Sequence, residues 1–121
     1  MKAPTDPREF LPLSPQQFQI LLALEGGDRH GYGIILDVAQ RSGGALRLGT
    51  GTLYTAIARM ATLGLVADTG REDDRRRYYR LTPMGRRVLG AETARLEALV
   101  EDAHRLGIRG APRPAPARGR S

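Results

Sequence analysis

The chain has 121 residues, no cysteine, two histidines and a formal net charge of +6. That length holds one domain with one modest core, and without thiols or a cluster of histidines no disulfide, metal or cofactor is expected. No apolar run approaches the roughly 20 residues of a membrane span, and the opening MKAPTDPREF has no signal-peptide core, so the expectation is a soluble cytoplasmic protein with no membrane partner and, from its basic balance, a polyanionic one.

Residues 1–13 are broken by Pro4, Pro7 and Pro12 and read as an extended arm. Ser14-Pro15-Gln16-Gln17 then has the form of a capping box: Ser14 as N-cap, Pro15 at the first helical position, Gln17 reaching back. The first helix runs to about Glu25 and buries Phe18, Leu21 and Leu22, with Ile20 or Leu24 beside them; Gly26-Gly27 ends it. A second helix spans roughly His30 to Arg41, with Ile34, Ile35 and Val38 inward. Gly31 and Gly33 are poor helix formers, and their place at its start points to close backbone packing. His30 reads as a hydrogen bonder at that helix start, and Tyr32 as core or as part of a ligand pocket.

The third helix is the most informative stretch. In LGTGTLYTAIARMATLGLV (48–66), Gly49 and Thr50 supply the entry, with Thr50 a candidate hydroxyl cap. Leu53, Ile57 and Met60 repeat at helical spacing, and Gly64 stops the helix as a left-handed cap would. The opposite face carries Thr52, Thr55, Arg59 and Thr62. Short hydroxyls with one guanidinium let a helix enter a major groove and exchange hydrogen bonds with base edges. The candidate DNA-reading residues are therefore Thr50, Thr52, Tyr54, Thr55 and Arg59. Tyr54 is open to two readings, a phosphate contact or packing under the element that follows.

That element is a hairpin, with strands at about Leu65–Gly70 and Arg77–Leu81 and a tip at Arg71–Arg76. Alternation places Tyr79 and Leu81 on the core face and Tyr78 and Arg80 outward. From Ala67 to Gly90 there are seven arginines against four acids, so Arg71, Arg75, Arg76 and Arg77 are candidate phosphate contacts. Thr82-Pro83 restarts a helix that continues to about Leu106. Its stripe of Leu89, Leu96, Leu99, Ala103 and Leu106 exceeds what four short elements cover, which implies a second chain. Residues 108–121 are rich in Pro, Ala and Arg and are expected to be a disordered basic tail.

The fold class expected is mainly α with a small β-hairpin: a winged helix-turn-helix domain over 14–82, followed by one long dimerisation helix over 83–107. The segments HGYGI (30–34), GTLYTAIARM (51–60), LGLV (63–66) and RRRYYRLTPMGRRVL (75–89) resemble the PadR family of bacterial transcriptional regulators, over about residues 14–106. The resemblance implies a homodimeric repressor on the palindromic operator of double-stranded DNA, released or retuned by an effector that the sequence does not identify. With one C-terminal helix the chain is similar to the short-tailed members. It departs from their commonest pattern at Gly49-Thr50, where Ser-Pro is usual, and at Thr55, where Pro is frequent. Both departures touch the reading face, so no operator sequence carries over.

Two other classes compete with this reading. An enzyme needs a phosphate loop, or a nucleophile beside a base, and neither occurs; Glu72-Asp73-Asp74 lies on a basic turn rather than in a cleft. A winged helix serving as a protein-interaction module needs an apolar or acidic outer face on its third helix, and this one is hydroxylic and basic.

Overall fold

The computed structural model describes residues 5–112, so the expected tail falls from residue 113 onward outside the described residues. The order is α1 (Pro15–Glu25), β1 (Arg29–His30), α2 (Gly31–Arg41), α3 (Thr50–Thr62), β2 (Val66–Asp73), β3 (Arg76–Leu81) and α4 (Pro83–Arg105). Three helices pack around Ile20, Leu21, Ile34, Val38, Leu53, Ile57 and Met60, and a three-stranded antiparallel sheet in the order β1-β3-β2 closes one side through Val66 and Leu81. This is the expected winged helix-turn-helix with one long C-terminal helix.

Local chemistry explains each boundary. The capping box at α1 forms as expected: Ser14 Oγ accepts from Gln17 N–H at 3.1 Å, and Gln17 Oε1 accepts from Ser14 N–H at 2.9 Å. Thr82 caps α4, accepting from Gly85 N–H at 2.9 Å while its own hydroxyl donates to the Gly64 carbonyl at 2.6 Å. α3 ends in a Schellman motif. Gly64 sits at φ +80°, its N–H donates to Ala61 O at 3.0 Å, and Leu65 N–H donates to Met60 O at 2.9 Å. One expectation fails at the other end of α3. The N-cap is Gly49, no side chain caps the helix, and Thr50 is already its first residue, exposed to solvent.

Three further differences stand out. The arm is not simply extended: Pro7–Phe10 forms a 3-10 turn, because Asp6 caps it by accepting from Arg8 N–H at 2.9 Å. A two-residue strand, β1, precedes α2 where the sequence pattern carries no strand signal; it pairs Arg29 with Tyr79 and His30 with Tyr78. Finally, the hairpin is longer and its tip tighter than Arg71–Arg76. Only Asp74 and Arg75 form the turn, both at positive φ (54° and 66°), the geometry of a type I′ hairpin.

Leu89 is a correction of another kind. Placed in the dimer seam on spacing alone, it is 5% exposed within the single chain and belongs to the core beside Val88. Helical period puts both the core face and the outer seam on one stripe, and only the length of the domain decides where the first ends.

Candidate nucleic-acid interface

At 100° per residue, Leu53, Ile57 and Met60 occupy one side of α3 and Thr52, Thr55, Arg59 and Thr62 a contiguous arc facing away. The structure keeps them so: the first three are buried and the last four exposed. Thr62 turns its hydroxyl back onto the Ala58 carbonyl at 3.1 Å, whereas Thr52 and Thr55 keep theirs uncommitted among the described residues. Arg59 forms no ion pair among the described residues and lies at the edge nearest the arm, in a shallow recess with Glu9, Phe10 and Leu63. Tyr54 points the other way, towards the sheet. It is 48% exposed, and a Cβ at position 31 would collide with its hydroxyl, so Gly31 is what admits it there.

The wing is built around an irregularity. Between the pairs Asp68–Tyr79 and Glu72–Arg77 the register shifts, leaving Thr69, Gly70 and Arg71 opposite Tyr78 alone. Side chains satisfy the displaced backbone. Asp68 Oδ1 accepts from Gly70 N–H at 2.9 Å, and Thr69 Oγ1 accepts from Arg71 N–H at 3.0 Å while donating to Tyr78 O at 3.0 Å. Gly70, at φ +80°, makes the bend without strain. The bulge swings Arg71 over the Tyr78 ring, 3.9 Å from its centroid.

The four wing arginines are thus not equivalent. Arg77 is held by Asp68 at 2.8 Å, and the Gly70 N–H followed by the Arg77 guanidinium holds that carboxyl below its usual range. Arg71 stacks on Tyr78 and has only a long contact to Asp73, 3.8 Å. Arg76 reaches back to His30, while Arg75, at the tip, has no ion pair among the described residues. These contacts are exposed and screened by solvent, so they hold their arginines weakly and leave them available to a stronger anion.

Between wing and helices lies a cleft of about 340 Å³ lined by His30, Gly31, Tyr32, Tyr54, Tyr79 and the side chains of Glu72 and Arg75–Arg77. His30 caps α2 by accepting from Gly33 N–H through Nδ1 at 3.0 Å. Burial first, then the charges of Arg76 and Arg71, push its pKa below the ordinary value, which favours the neutral ring. Sequence reasoning found its capping role but not its place in the cleft; GYG after it, with Gly31 making room, was the available signal.

The other expected surface lies on α4. Leu96 is half-buried beside Leu13, Phe18 and Leu46, in a cleft of about 520 Å³ whose floor includes Glu92 and Arg95. Beyond it Leu99 and Val100 are each 53% exposed, Leu106 is 82% exposed and Ile108 62%. Ala103 sits among them, partly covered. Glu92 escaped the sequence reading altogether. It is 1% exposed, accepts from Leu13 N–H at 3.0 Å, and pairs with Arg95 at 2.5 Å, tying the arm to α4.

Three packed helices whose third has a free outer face, flanked by an antiparallel cationic wing, define a winged helix-turn-helix protein. The chain belongs to the PadR-like family of transcriptional regulators, whose model matches residues 20–91. That family comprises regulators rather than enzymes. Among solved structures it is similar to a transcriptional regulator from Clostridium thermocellum, with 26% identity and a TM-score of 0.66 over 78% of this chain and 97% of that one. It is also similar to a PadR family transcription regulator from Clostridium difficile, with 25% identity and a TM-score of 0.66 over 77% and 98%. A stretch of 76 residues, 63% of the chain, is 43% identical to an uncharacterized 37.1 kDa protein in transposon Tn4556 of Streptomyces fradiae, of which the chain spans 21%. Among the described residues no helix is long and apolar enough to cross a membrane.

Proposed function

We propose that the protein is a homodimeric, sequence-specific repressor that binds a palindromic operator in double-stranded DNA. The observation that carries the reading is the exposed outer face of α3: hydroxyls and one guanidinium without an ion pair among the described residues face outward beside a wing rich in exposed arginine. In this reading Thr52, Thr55 and Arg59 meet base edges in a major groove, with Thr50 at the entry. Arg71, Arg75, Arg76 and Arg77 neutralise the flanking phosphates, and Tyr54, on the wing side of α3, contacts phosphate rather than bases.

The dimer belongs to the same proposal. An α4 whose outer half exposes Leu99, Val100 and Leu106, running on from an apolar cleft at Leu96, fits a second copy of the same helix better than solvent. Release from the operator by a small effector, and a cytoplasmic location, rest on the family alone.

Reading and clamping separate experimentally. Arg59→Ala should cost roughly 1–3 kcal/mol on the preferred site and much less on random DNA. Arg75→Ala should weaken both similarly and lower the salt slope by about one per subunit. An Arg59→Ala protein with undiminished discrimination would remove α3 from the reading role. Binding without salt dependence or retention on DNA would favour the protein-interaction module.

A further inference from the structure

The cleft beside the wing contains a contact that the fold leaves unbalanced. His30 Nδ1 accepts from Gly33 N–H, so the neutral ring carries its proton on Nε2. That Nε2 lies 3.2 Å from Arg76 Nη1. In the tautomer set by the Gly33 cap both atoms are donors, so the contact is no hydrogen bond and neither donor is satisfied by the other. Protonating the ring offers no remedy, since the second proton would go to Nδ1 and break the cap. Turning the ring offers none either, because Tyr78 stands edge-on against it at 5.3 Å with Arg71 stacked on Tyr78.

The surroundings have the same bias. Arg75, Arg76 and Arg77 line the cleft with the Tyr54 side chain, and the Arg76 guanidinium stands 5.9 Å from the centre of the exposed Tyr32 ring. Glu72 is the one acid in the lining, and it makes no ion pair there among the described residues. A group that accepts only, and is negatively charged, would satisfy His30 and Arg76 together; a phosphodiester oxygen is such a group.

We propose that this cleft seats one backbone phosphate of DNA, held between His30 Nε2–H and Arg76, with the Tyr54 hydroxyl beside it. The proposal rests on the DNA-binding reading above and adds an anchor behind the wing, formed by a neutral histidine. Because the imidazole carries no charge it releases no counterion, which sets it apart from the arginines.

His30→Asn isolates the contact. Asparagine is a good N-cap, so it still accepts from Gly33 N–H, but it is too short to meet the phosphate. The probe is a duplex of about 30 base pairs enriched from a random pool by the protein itself, long enough for two half-sites a helical turn apart. The readout is the ring nitrogen resonances of His30, with His104, the other histidine, as internal control.

The duplex is expected to move His30 Nε2 and not His104. His30→Asn should bind it roughly tenfold more weakly, with an unchanged salt slope. Arg76→Gln should weaken binding comparably and lower the slope by about one per subunit. A duplex that binds, by shifts elsewhere in the protein, yet leaves His30 unmoved overturns the proposal and spares the DNA reading. So does a His30→Asn protein that binds as tightly as the original. A random pool from which the wild-type protein enriches no duplex overturns both. Inorganic phosphate or thymidine monophosphate that moves His30 while duplex does not would make the cleft a small-anion site, contradicting the proposal.

Discussion

The two halves of α4 share a helix and a sequence period but meet different surroundings. In the first half Val88, Leu89 and Glu92 are almost wholly covered by the single chain, and Glu92 binds the arm through the Leu13 N–H. In the second half Leu99 and Val100, and Leu106 at the C-cap, keep half or more of their surface in water. An amphipathic stripe is therefore not one feature. Where the three-helix core lies beneath it, it is domain core; where the helix outruns that core, it is apolar surface left uncovered among the described residues, the surface assigned to the dimer in the proposed function.

Leu99→Asp together with Leu89→Ala is the sharpest way to break that comparison. A charge at position 99 should cost the dimer several kcal/mol, because a buried unpaired carboxylate has no compensation. Sedimentation should show monomer, operator affinity should be largely lost, and the folded signal of the protomer should persist. Leu89→Ala should instead cost the fold about 2–5 kcal/mol, seen as a lower midpoint in denaturant. A Leu99→Asp protein that stayed dimeric at micromolar concentration would place the interface elsewhere.

A smaller effect sharpens the first half. The Arg95 guanidinium, helped by the Leu13 N–H, holds the Glu92 carboxyl below its ordinary value of 4.5 in spite of its burial. A carboxyl depressed on folding stabilises the native state above its unfolded pKa, and that contribution fades as pH falls through the folded value. The melting temperature of the native chain should thus exceed that of Glu92→Gln at pH 7, and the gap should narrow below about pH 4.5. A gap constant down to pH 3 would mean that the carboxylate charge contributes nothing.

The sequence made the helical architecture legible because its punctuation is local. Ser-Pro-Gln-Gln, the Gly64 stop and Thr-Pro each satisfy helix-end groups with residues a few positions away. The outer face of α3 was equally readable, since Thr52, Thr55 and Arg59 follow from period alone and are exposed. What escaped depends on distant partners. Two residues, Arg29 and His30, become a strand only because Tyr78 and Tyr79 lie alongside. The wing bulge needs Asp68 and Thr69 to turn their side chains onto the backbone, and Glu92 is tolerable inside only because Leu13 and Arg95 come to it. Leu89 was misplaced for the same reason: a repeat of seven does not say where the domain ends.

The claim on which the rest depends is that two copies of α3, related by a two-fold axis and set apart by α4, read one site. Iterative selection of duplexes from a random pool, sequenced to convergence, tests it most directly. The expected outcome is an inverted repeat whose half-site centres lie about one helical turn apart, roughly 10 base pairs or a multiple of that. Convergence on a site without two-fold symmetry, or no enrichment over the starting pool, would contradict it.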